Sequence, residues 1–382
     1  MQFGLNESQE ILKQNSRQFF AGECPMTLVR QLAESKQPYD AALWSKMAAQ
    51  GYMGIIFPEK YDGLGLGIVE LILLMEEAGR ALLPGPFWST VAFAGAVIEA
   101  VATEAQKTKY LTRICRGEAR ATLALLEAGA GWDLADVKLT AANGKLTGEK
   151  LFVLDADVAD FVLVAAQTGI FLVEAGAPGL SLMPMPALDL TRNFYAVQFN
   201  DTPAEKLGDA ANFYVASLYP PNLARAFDIA TAALVAEMVG GMQRVLDLTV
   251  EYAKTRKQFG KAIGTFQAVQ HQCADMYLDT ESSRSAAYYA AWALEHDAPD
   301  AATATSIAKM YASDACREVG NRGIQIHGGN GFAWENDLHL YYRRAKASET
   351  MLGDATFHRE RIARLVIDSA PVSTCTNNRS SR

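Results

Sequence analysis

The sequence predicts an α+β fold in which a helical bundle, a small β-barrel-like domain and a four-helix bundle follow one another along the chain. Three observations indicate this order. Apolar residues recur at helical spacing through residues 1–118, short β-branched and apolar runs fill residues 119–219, and long Ala- and Leu-rich stretches fill residues 220–366. A chain of 382 residues is also too long for one compact core. The Ser-, Thr- and Asn-rich residues 367–382 are expected to form a disordered tail.

The first domain is predicted from apolar residues spaced at roughly one helical turn, which begin with Ile11, Leu12, Phe19 and Phe20. Pro58 and the glycines that follow it interrupt this pattern and predict a loop over residues 57–65. The helical pattern then resumes. It predicts helices over residues 68–81, 90–101 and 104–114.

The middle domain is predicted from short runs of β-branched and apolar residues that Gly, Asn, Asp and Pro separate. Asn143 and Gly144 lie between two of these runs, and both tolerate the positive φ of a tight hairpin turn. The predicted strands cover residues 122–126, 137–140, 145–154, 161–166, 170–174 and 197–199.

The last domain is predicted to be a bundle of long helices over residues 224–255, 267–296 and 303–320. Gly240 and Gly241 lie inside the first of these helices. Glycine lowers helix propensity, so this pair indicates a close approach of another backbone.

Composition and charge exclude several classes of protein. The formal net charge of −8 argues against a nucleic-acid surface. The five cysteines are scattered, without a Cys-x-x-Cys pair or a His cluster, so reduced thiols and no metal site are expected. No signal peptide is visible, and no apolar stretch reaches the roughly 18 to 20 residues that span a bilayer. We therefore expect a soluble, cytoplasmic protein.

One candidate binding string, Arg256-Lys257-Gln258-Phe259-Gly260, follows the first long helix of the last domain. The planar guanidinium of Arg256 suits a pyrophosphate, and Gly260 permits a tight turn. Taken alone, the string also fits an ordinary positive helix C-terminus that compensates the helix dipole.

A second candidate string occupies residues 325–332. Adjacent Gly328 and Gly329 leave backbone N–H groups open to a phosphate or an adenine, and the Gln325 amide both donates and accepts hydrogen bonds. The alternative is a Gly-rich helix terminator, with His327 as a structural residue.

Together with the loop at residues 57–65 and the domain order, these strings resemble the acyl-CoA dehydrogenase family over about residues 5–366. The resemblance implies FAD-dependent α,β-dehydrogenation of an acyl-CoA thioester by dimers or tetramers, with electrons passed to an electron-transfer flavoprotein. It also implies that a set of residues, here called the clamp, reaches across a dimer interface to a neighbour's FAD. The clamp consists of Arg256, Gln258, Phe259, Phe266, Gln267, Gln325, Gly328 and Gly329.

The catalytic base of the family is missing from this chain. The usual Glu falls on Leu352, and the Glu that some members carry on the long helix falls on Ala230. Neither side chain accepts a proton from a thioester. Glu349 is a substitute because an offset of three residues returns roughly to the same helix face, and Asp354 is a substitute if it lies in a loop. The alternative for each is a solvated surface acid.

Positions that should serve the chain's own flavin have also changed. The family string Thr-Glu-Pro-Gly-Ala-Gly-Ser-Asp aligns with residues 126–133, so Leu126 replaces Thr and Trp132 replaces Ser. Leu154 replaces the Thr of a later Trp-Ile-Thr string. These changes remove three hydroxyl groups and add an indole that would crowd a flavin.

The kept clamp and the lost base resemble the base-lacking subunit of bacterial α2β2 acyl-CoA dehydrogenases that act on CoA thioesters of steroid side chains. This resemblance implies that a homologous partner supplies the base and shares the FAD. Three alternatives stay open: a self-sufficient homo-oligomer with a displaced base, a non-enzymatic CoA-binding homologue, and a flavin monooxygenase of the same fold. The acyl specificity is not predicted, because it depends on the shape of a cavity.

Overall fold

The computed structural model describes residues 4–35, 37–208 and 221–368. Its first part is helical, as predicted, and a π-helix over Trp88–Gly95 runs directly into the fifth α-helix. The predicted loop at residues 57–65 contains one short 3-10 turn, Glu59–Tyr61. The α-helices of this part are α1 Glu7–Glu23, α2 Met26–Ser35, α3 Ala41–Ala49, α4 Ile68–Arg80, α5 Ala96–Val101 and α6 Glu104–Cys115.

The middle part consists of two four-stranded sheets. The first sheet has the strand order β1-β4-β5-β8, and its β1 and β4 are parallel, whereas the second sheet is antiparallel with the order β2-β3-β7-β6. The strands are β1 Ala121–Ala124, β2 Thr140–Ala142, β3 Lys145–Leu154, β4 Phe161–Ala166, β5 Gly169–Glu174, β6 Leu180–Met185, β7 Phe194–Pro203 and β8 Glu205–Lys206.

These sheets confirm the α+β class and correct the barrel-like shape expected for the middle domain. Within the described residues neither sheet closes on itself, and one apolar core is shared between them, with Leu146 and Val197 from one sheet and Val162 and Phe171 from the other. The hairpin predicted at Asn143-Gly144 is confirmed, since β2 pairs with β3 and both turn residues have positive φ.

The last part is a helical bundle, as predicted, built on three long helices. They are α7 Pro221–Thr255, α8 Gln267–Glu295 and α9 Ala301–His327, and two shorter helices follow, α10 Leu338–Thr350 and α11 Ala355–Ala363. A two-residue hairpin, β9 Lys257–Gln258 and β10 Lys261–Ala262, connects α7 to α8.

Close approach of α4 and α7 explains the glycine inside the long helix. A Cβ atom on Gly240 would lie 1.8 Å from the Glu76 carbonyl oxygen, and one on Gly79 would lie 2.0 Å from the Glu237 carbonyl oxygen. Each helix therefore needs a glycine where the other backbone crosses it. Gly241 has open space at the same point, so the predicted close approach is found at one member of the pair.

The sequence also led to expectations about disulfides, metal sites, membrane helices and domain boundaries. The four described cysteines form no disulfide, and the described residues contain no cluster that would hold a metal ion. None of the described helices combines the length and the apolarity that a membrane crossing requires. The domain boundaries at residues 118/119 and 219/220 stay predictions, and the second of them, like residues 369–382 of the predicted tail, lies outside the described part of the chain.

Candidate functional site

A cavity of about 440 Å³ lies where the three parts of the chain meet. Its wall is mainly apolar, and three of its lining side chains are polar: Thr122, Lys346 and Thr350. The apolar part of the wall includes Trp88 and Phe93 from the first part, Leu126, Trp132, Phe152 and Leu154 from the middle part, and Met351 and Leu352 from the last part. The residues that replaced the expected hydroxyl groups thus line one surface.

Leu352 occupies the position of the missing base, and the structure places it on the cavity wall. It is 5% exposed and has a φ of 55°, and the φ of the following Gly353 is 99°. Two buried groups hold this turn. His358 Nε2 lies 3.0 Å from the Leu352 carbonyl oxygen, and Lys309 Nζ donates to the Gly353 carbonyl oxygen at 2.8 Å. The turn is held firmly, although its central side chain has no proton-accepting group.

Ala230, the other possible base position, is fully buried in α7 and does not line the cavity. The indole of Trp88 donates to the Ala230 carbonyl oxygen at 3.1 Å. Trp88 itself lines the cavity, so its ring lies between this helix position and the space that a ligand would fill. The nearby Asp228 forms a bidentate ion pair with Arg361, at 2.6 and 2.9 Å.

The two substitute bases are used in structural contacts. Glu349 pairs with Arg317 at 2.5 Å and with Lys346 at 2.8 Å. Asp354 is the N-cap of α11 and accepts from the Phe357 backbone N–H at 2.8 Å. Neither carboxylate belongs to the cavity wall, and the described lining residues include no Asp or Glu. An α-proton inside this cavity would therefore face no carboxylate among the described lining residues.

The wall does not fit a flavin. The ring system and the pyrophosphate of FAD need polar partners. Leu126 and Leu154 present none, and the Trp132 indole would crowd the ring system. Lys346 is the cation among the described lining residues, and Glu349 already neutralises it. Placing a dianionic pyrophosphate here would leave its charge without a partner from this chain's own wall.

The clamp lies on a different surface, and none of its residues lines the cavity. Its first part is the β9–β10 hairpin, in which Phe259 is 91% exposed and has a φ of 52°. The Phe259 ring meets Phe266 edge to face at 6.2 Å. Arg256 is exposed at the end of α7, and its guanidinium makes no hydrogen bond or ion pair to another described residue.

The second part of the clamp follows α9. Gly328 has a φ of 61°, and both Gly328 and Gly329 face open space. The ring of His327 stacks on Tyr252 at 4.2 Å, and Tyr252 lies one helical turn before Arg256. This stack brings both strings to the same end of the bundle, as the family resemblance implied, and gives His327 the structural role that the sequence favoured.

The free side chains of the clamp fit a ligand that approaches from outside this chain. Gln258, Gln267 and Gln325 are exposed, and their amides make no hydrogen bond within the described part of the chain. Exposed amides and a free guanidinium match the acceptors of a pyrophosphate and the edges of an adenine. These residues would hold the pyrophosphate and the adenine of FAD.

Sequence reasoning missed a buried ionic cluster beside the cavity. Arg344 pairs with Asp189 at 2.6 Å and with Glu237 at 2.5 Å, and Glu237 also pairs with Arg192 at 2.5 Å. Arg192 contacts the sulfur of Met351 at 3.5 Å, which joins the cluster to the cavity wall. No spacing pattern predicts this set, because its members come from the middle part, α7 and α10.

Sequence reasoning also missed Asp155, which follows the wall residue Leu154. Its side chain is fully buried, and Ser89 Oγ lies 2.7 Å from Oδ2, whereas Oδ1 has no hydrogen-bond partner. Burial raises the pKa of the Asp155 carboxyl to about 7. No local signal marked it, because Asp155, Asp157 and Asp160 stand close together after the strand and are typical of a turn.

Known proteins share this architecture from end to end. Two family models match the chain: "Acyl-CoA dehydrogenase, N-terminal domain" over residues 6–118 and "Acyl-CoA dehydrogenase, C-terminal domain" over residues 222–367. The chain is 30% identical over 364 residues to acyl-CoA dehydrogenase IpdE2 of Mycolicibacterium smegmatis, a match that covers 94% of this chain and 98% of the relative.

Solved structures agree with these matches. A steroid ACAD variant, Tcur3481-Tcur3483, superposes with a TM-score of 0.84 at 32% identity and covers 95% of this chain and 98% of its own. The ChsE4-ChsE5 complex of Mycobacterium tuberculosis gives 0.86 at 27% identity, with 97% and 100% covered. The chain belongs to the acyl-CoA dehydrogenase family of flavoprotein oxidoreductases.

Proposed function

We propose that this chain is the base-lacking subunit of a heteromeric, FAD-dependent acyl-CoA dehydrogenase. The observation that carries the proposal is the contrast between a clamp with free polar side chains and a cavity without a base. The clamp is exposed and its polar side chains are free, whereas the chain's own cavity has Leu352 in place of a base and an apolar wall. A clamp in a chain whose own cavity lacks a base has a use when the flavin that it holds is seated mainly in another subunit.

The roles of the two subunits follow from the chemistry of the reaction. FAD, when bound, accepts a hydride from the β-carbon of the acyl group. Arg256 would neutralise part of the pyrophosphate charge, and Gln258, Gln325 and the Gly328-Gly329 backbone would orient the dinucleotide. A homologous partner would supply the glutamate that removes the α-proton, and an electron-transfer flavoprotein would accept the electrons.

The names of similar structures support a heteromer and a substrate class. One of them is described as a complex of two proteins, ChsE4 and ChsE5, and another as a steroid ACAD. We infer that the substrate is an acyl-CoA thioester and that a steroid side chain is a candidate for its acyl group. Specificity would reside in the partner, because this chain's cavity lacks the groups for the reaction.

Flavin content tests the proposal directly. We expect the chain expressed alone to hold little FAD, and co-expression with a base-carrying homologue to give a complex with about one FAD for every two chains. The measurement is visible absorbance of flavin against protein concentration. A single purified chain with one flavin per chain that bleaches with an acyl-CoA would refute the proposal.

The clamp is tested by replacing Arg256 with Ala in the complex. We expect FAD to bind about 10- to 100-fold more weakly, because a charge-assisted hydrogen bond contributes about 1.5 to 3 kcal/mol. The matched control is Lys254→Ala, which removes a cation from the same helix end. Lys254 is already paired with Glu251. FAD affinity equal in the two variants would show that Arg256 lies outside the flavin site.

A self-sufficient homo-oligomer with a displaced base is the second candidate, and the geometry speaks against it. Glu349 is paired with Arg317, and Asp354 caps α11. The double variant Glu349→Ala with Asp354→Ala separates the two candidates when α-proton exchange is measured in the chain expressed alone, where no partner supplies a base. Loss of exchange in a variant that is still folded and still assembled would favour the displaced base.

A further inference from the structure

We propose that the cavity of this chain binds an uncharged, largely apolar ligand, either a hydrocarbon chain or a ring system, that carries one oxygen acceptor. This site goes beyond the proposed function, which gives the chain no ligand in its own cavity. The proposal rests on the size of the cavity, the chemistry of its wall and the rigidity of its supports.

The size and the wall indicate an apolar ligand. A cavity of about 440 Å³ falls within the range of small-molecule sites. Leucine, phenylalanine and tryptophan side chains from all three parts of the chain form most of its wall. Because most of the wall is hydrocarbon, the cavity matches an apolar ligand.

The polar groups of the wall specify one oxygen acceptor. Lys346 is paired with Glu349, and the Thr350 hydroxyl donates to the Ala347 carbonyl oxygen at 3.1 Å. The Thr122 hydroxyl and the Trp132 indole N–H make no hydrogen bond to another described residue. Both of these groups are donors, so a hydroxyl or carbonyl oxygen on the ligand would satisfy one of them.

The charges of the wall exclude an anionic ligand. A fatty-acid carboxylate or a pyrophosphate needs an unpaired cation, and the cation among the described wall residues is neutralised by Glu349. An alcohol or a ketone carries no such cost. The ligand that fits is therefore neutral at physiological pH.

Rigid supports keep the cavity from collapsing. The buried cluster of Asp189, Arg192, Glu237 and Arg344 ties the middle part to α7 and α10, and Arg192 lies 5.9 Å from the centre of the Trp88 ring. An unfilled apolar cavity costs free energy because its lining atoms lack contacts. A ligand that fills it restores those contacts and stabilises the fold.

The test uses the full chain, alone or in the complex in which it purifies, with decanol, decanoate and FAD as probes. We expect decanol to raise the Tm by about 3 to 8 °C at saturation and to change the fluorescence of Trp88 and Trp132, which line the cavity. Decanoate should bind at least about 10-fold more weakly because its charge has no partner. A steroid alcohol in place of decanol decides between a chain and a ring.

Two variants locate the binding. Ala187→Trp fills the cavity and should abolish the decanol effect, with circular dichroism confirming the fold. Thr122→Val keeps the shape and should weaken decanol about 5- to 10-fold by removing a donor. Thr140→Val, on the exposed β2, is the control that should change nothing.

The outcomes separate this proposal from the proposed function. Absence of a decanol effect, or an effect that persists in Ala187→Trp, overturns the apolar site alone and leaves the flavin stoichiometry untouched. FAD bound at one per chain and displaced by Ala187→Trp overturns both. Decanoate binding as tight as decanol overturns the requirement for a neutral ligand.

Discussion

Replacing Glu237 with Gln is expected to lower the free energy of unfolding by about 3 to 5 kcal/mol, although the two side chains have nearly the same size. Glu237 is buried and pairs with both Arg192 and Arg344, each at 2.5 Å. The native cluster balances two guanidinium groups with two carboxylates. The substitution leaves two buried positive charges facing Asp189 alone, and an uncompensated buried charge is costly.

Urea unfolding of the wild type and the variant measures this loss. The control is Glu251→Gln on the same helix, because Glu251 forms an exposed pair with Lys254 and should cost less than about 1 kcal/mol. Equal losses in both variants would mean that the cluster is not closed in solution. Because the cluster supports Trp88 and Met351, the Glu237 variant should also lose the decanol response.

Replacing Asp155 with Asn is expected to stabilise the protein by up to about 4 kcal/mol above pH 7 and to have little effect below pH 4. Burial raises the Asp155 pKa from 3.8 to about 7. An acid whose pKa is raised by folding makes the protein most stable at low pH, where both states are protonated. That stability falls as pH rises from about 4 to about 7, because only the folded state still holds the proton there. Asn stays neutral throughout.

The hydrogen bonds around Asp155 are compatible with both the neutral acid and the amide. Oδ2 lies 2.7 Å from Ser89 Oγ, and Ser89 Oγ lies 3.1 Å from the Pro86 carbonyl oxygen. A protonated Oδ2, or the Asn NH₂ group, donates to Ser89, which donates to Pro86.

Unfolding at pH 4, 6 and 8 checks the expectation, and Asp157→Asn on the exposed side of the same turn is the control. A wild-type stability that does not fall relative to Asp155→Asn between pH 4 and 8 would contradict it.

Local sequence was enough to predict many of the elements. The strand predicted over residues 145–154 coincides with β3, which follows a hairpin turn and ends in an apolar run. The one predicted over residues 161–166 coincides with β4, which is apolar throughout. β6, Leu180–Met185, was not predicted. It contains Pro184 and lies at a sheet edge next to β7, where its partner strand decides its conformation.

The candidate site also has features that local sequence predicts and features that only the folded chain decides. That Leu352 and Ala230 cannot act as bases follows from their identity and needs no structure. Whether Glu349 or Asp354 replaces them depends on where each carboxylate points in the folded chain. Helical spacing favoured Glu349, because an offset of three residues returns to roughly the same helix face. The structure instead places its carboxylate between Arg317 and Lys346, because cations on α9 and α10 compete for it.

The sequence by itself determined the family and predicted the clamp residues and the missing base, since these depend on side-chain chemistry at positions close together along the chain. Tertiary structure decided that the clamp and the cavity lie on separate surfaces and that Leu126, Trp132 and Leu154 line one apolar wall. It also decided that Asp189, Glu237 and Arg344 meet. Burial and long-range packing set those contacts, and no local pattern records which distant residues will share a buried volume.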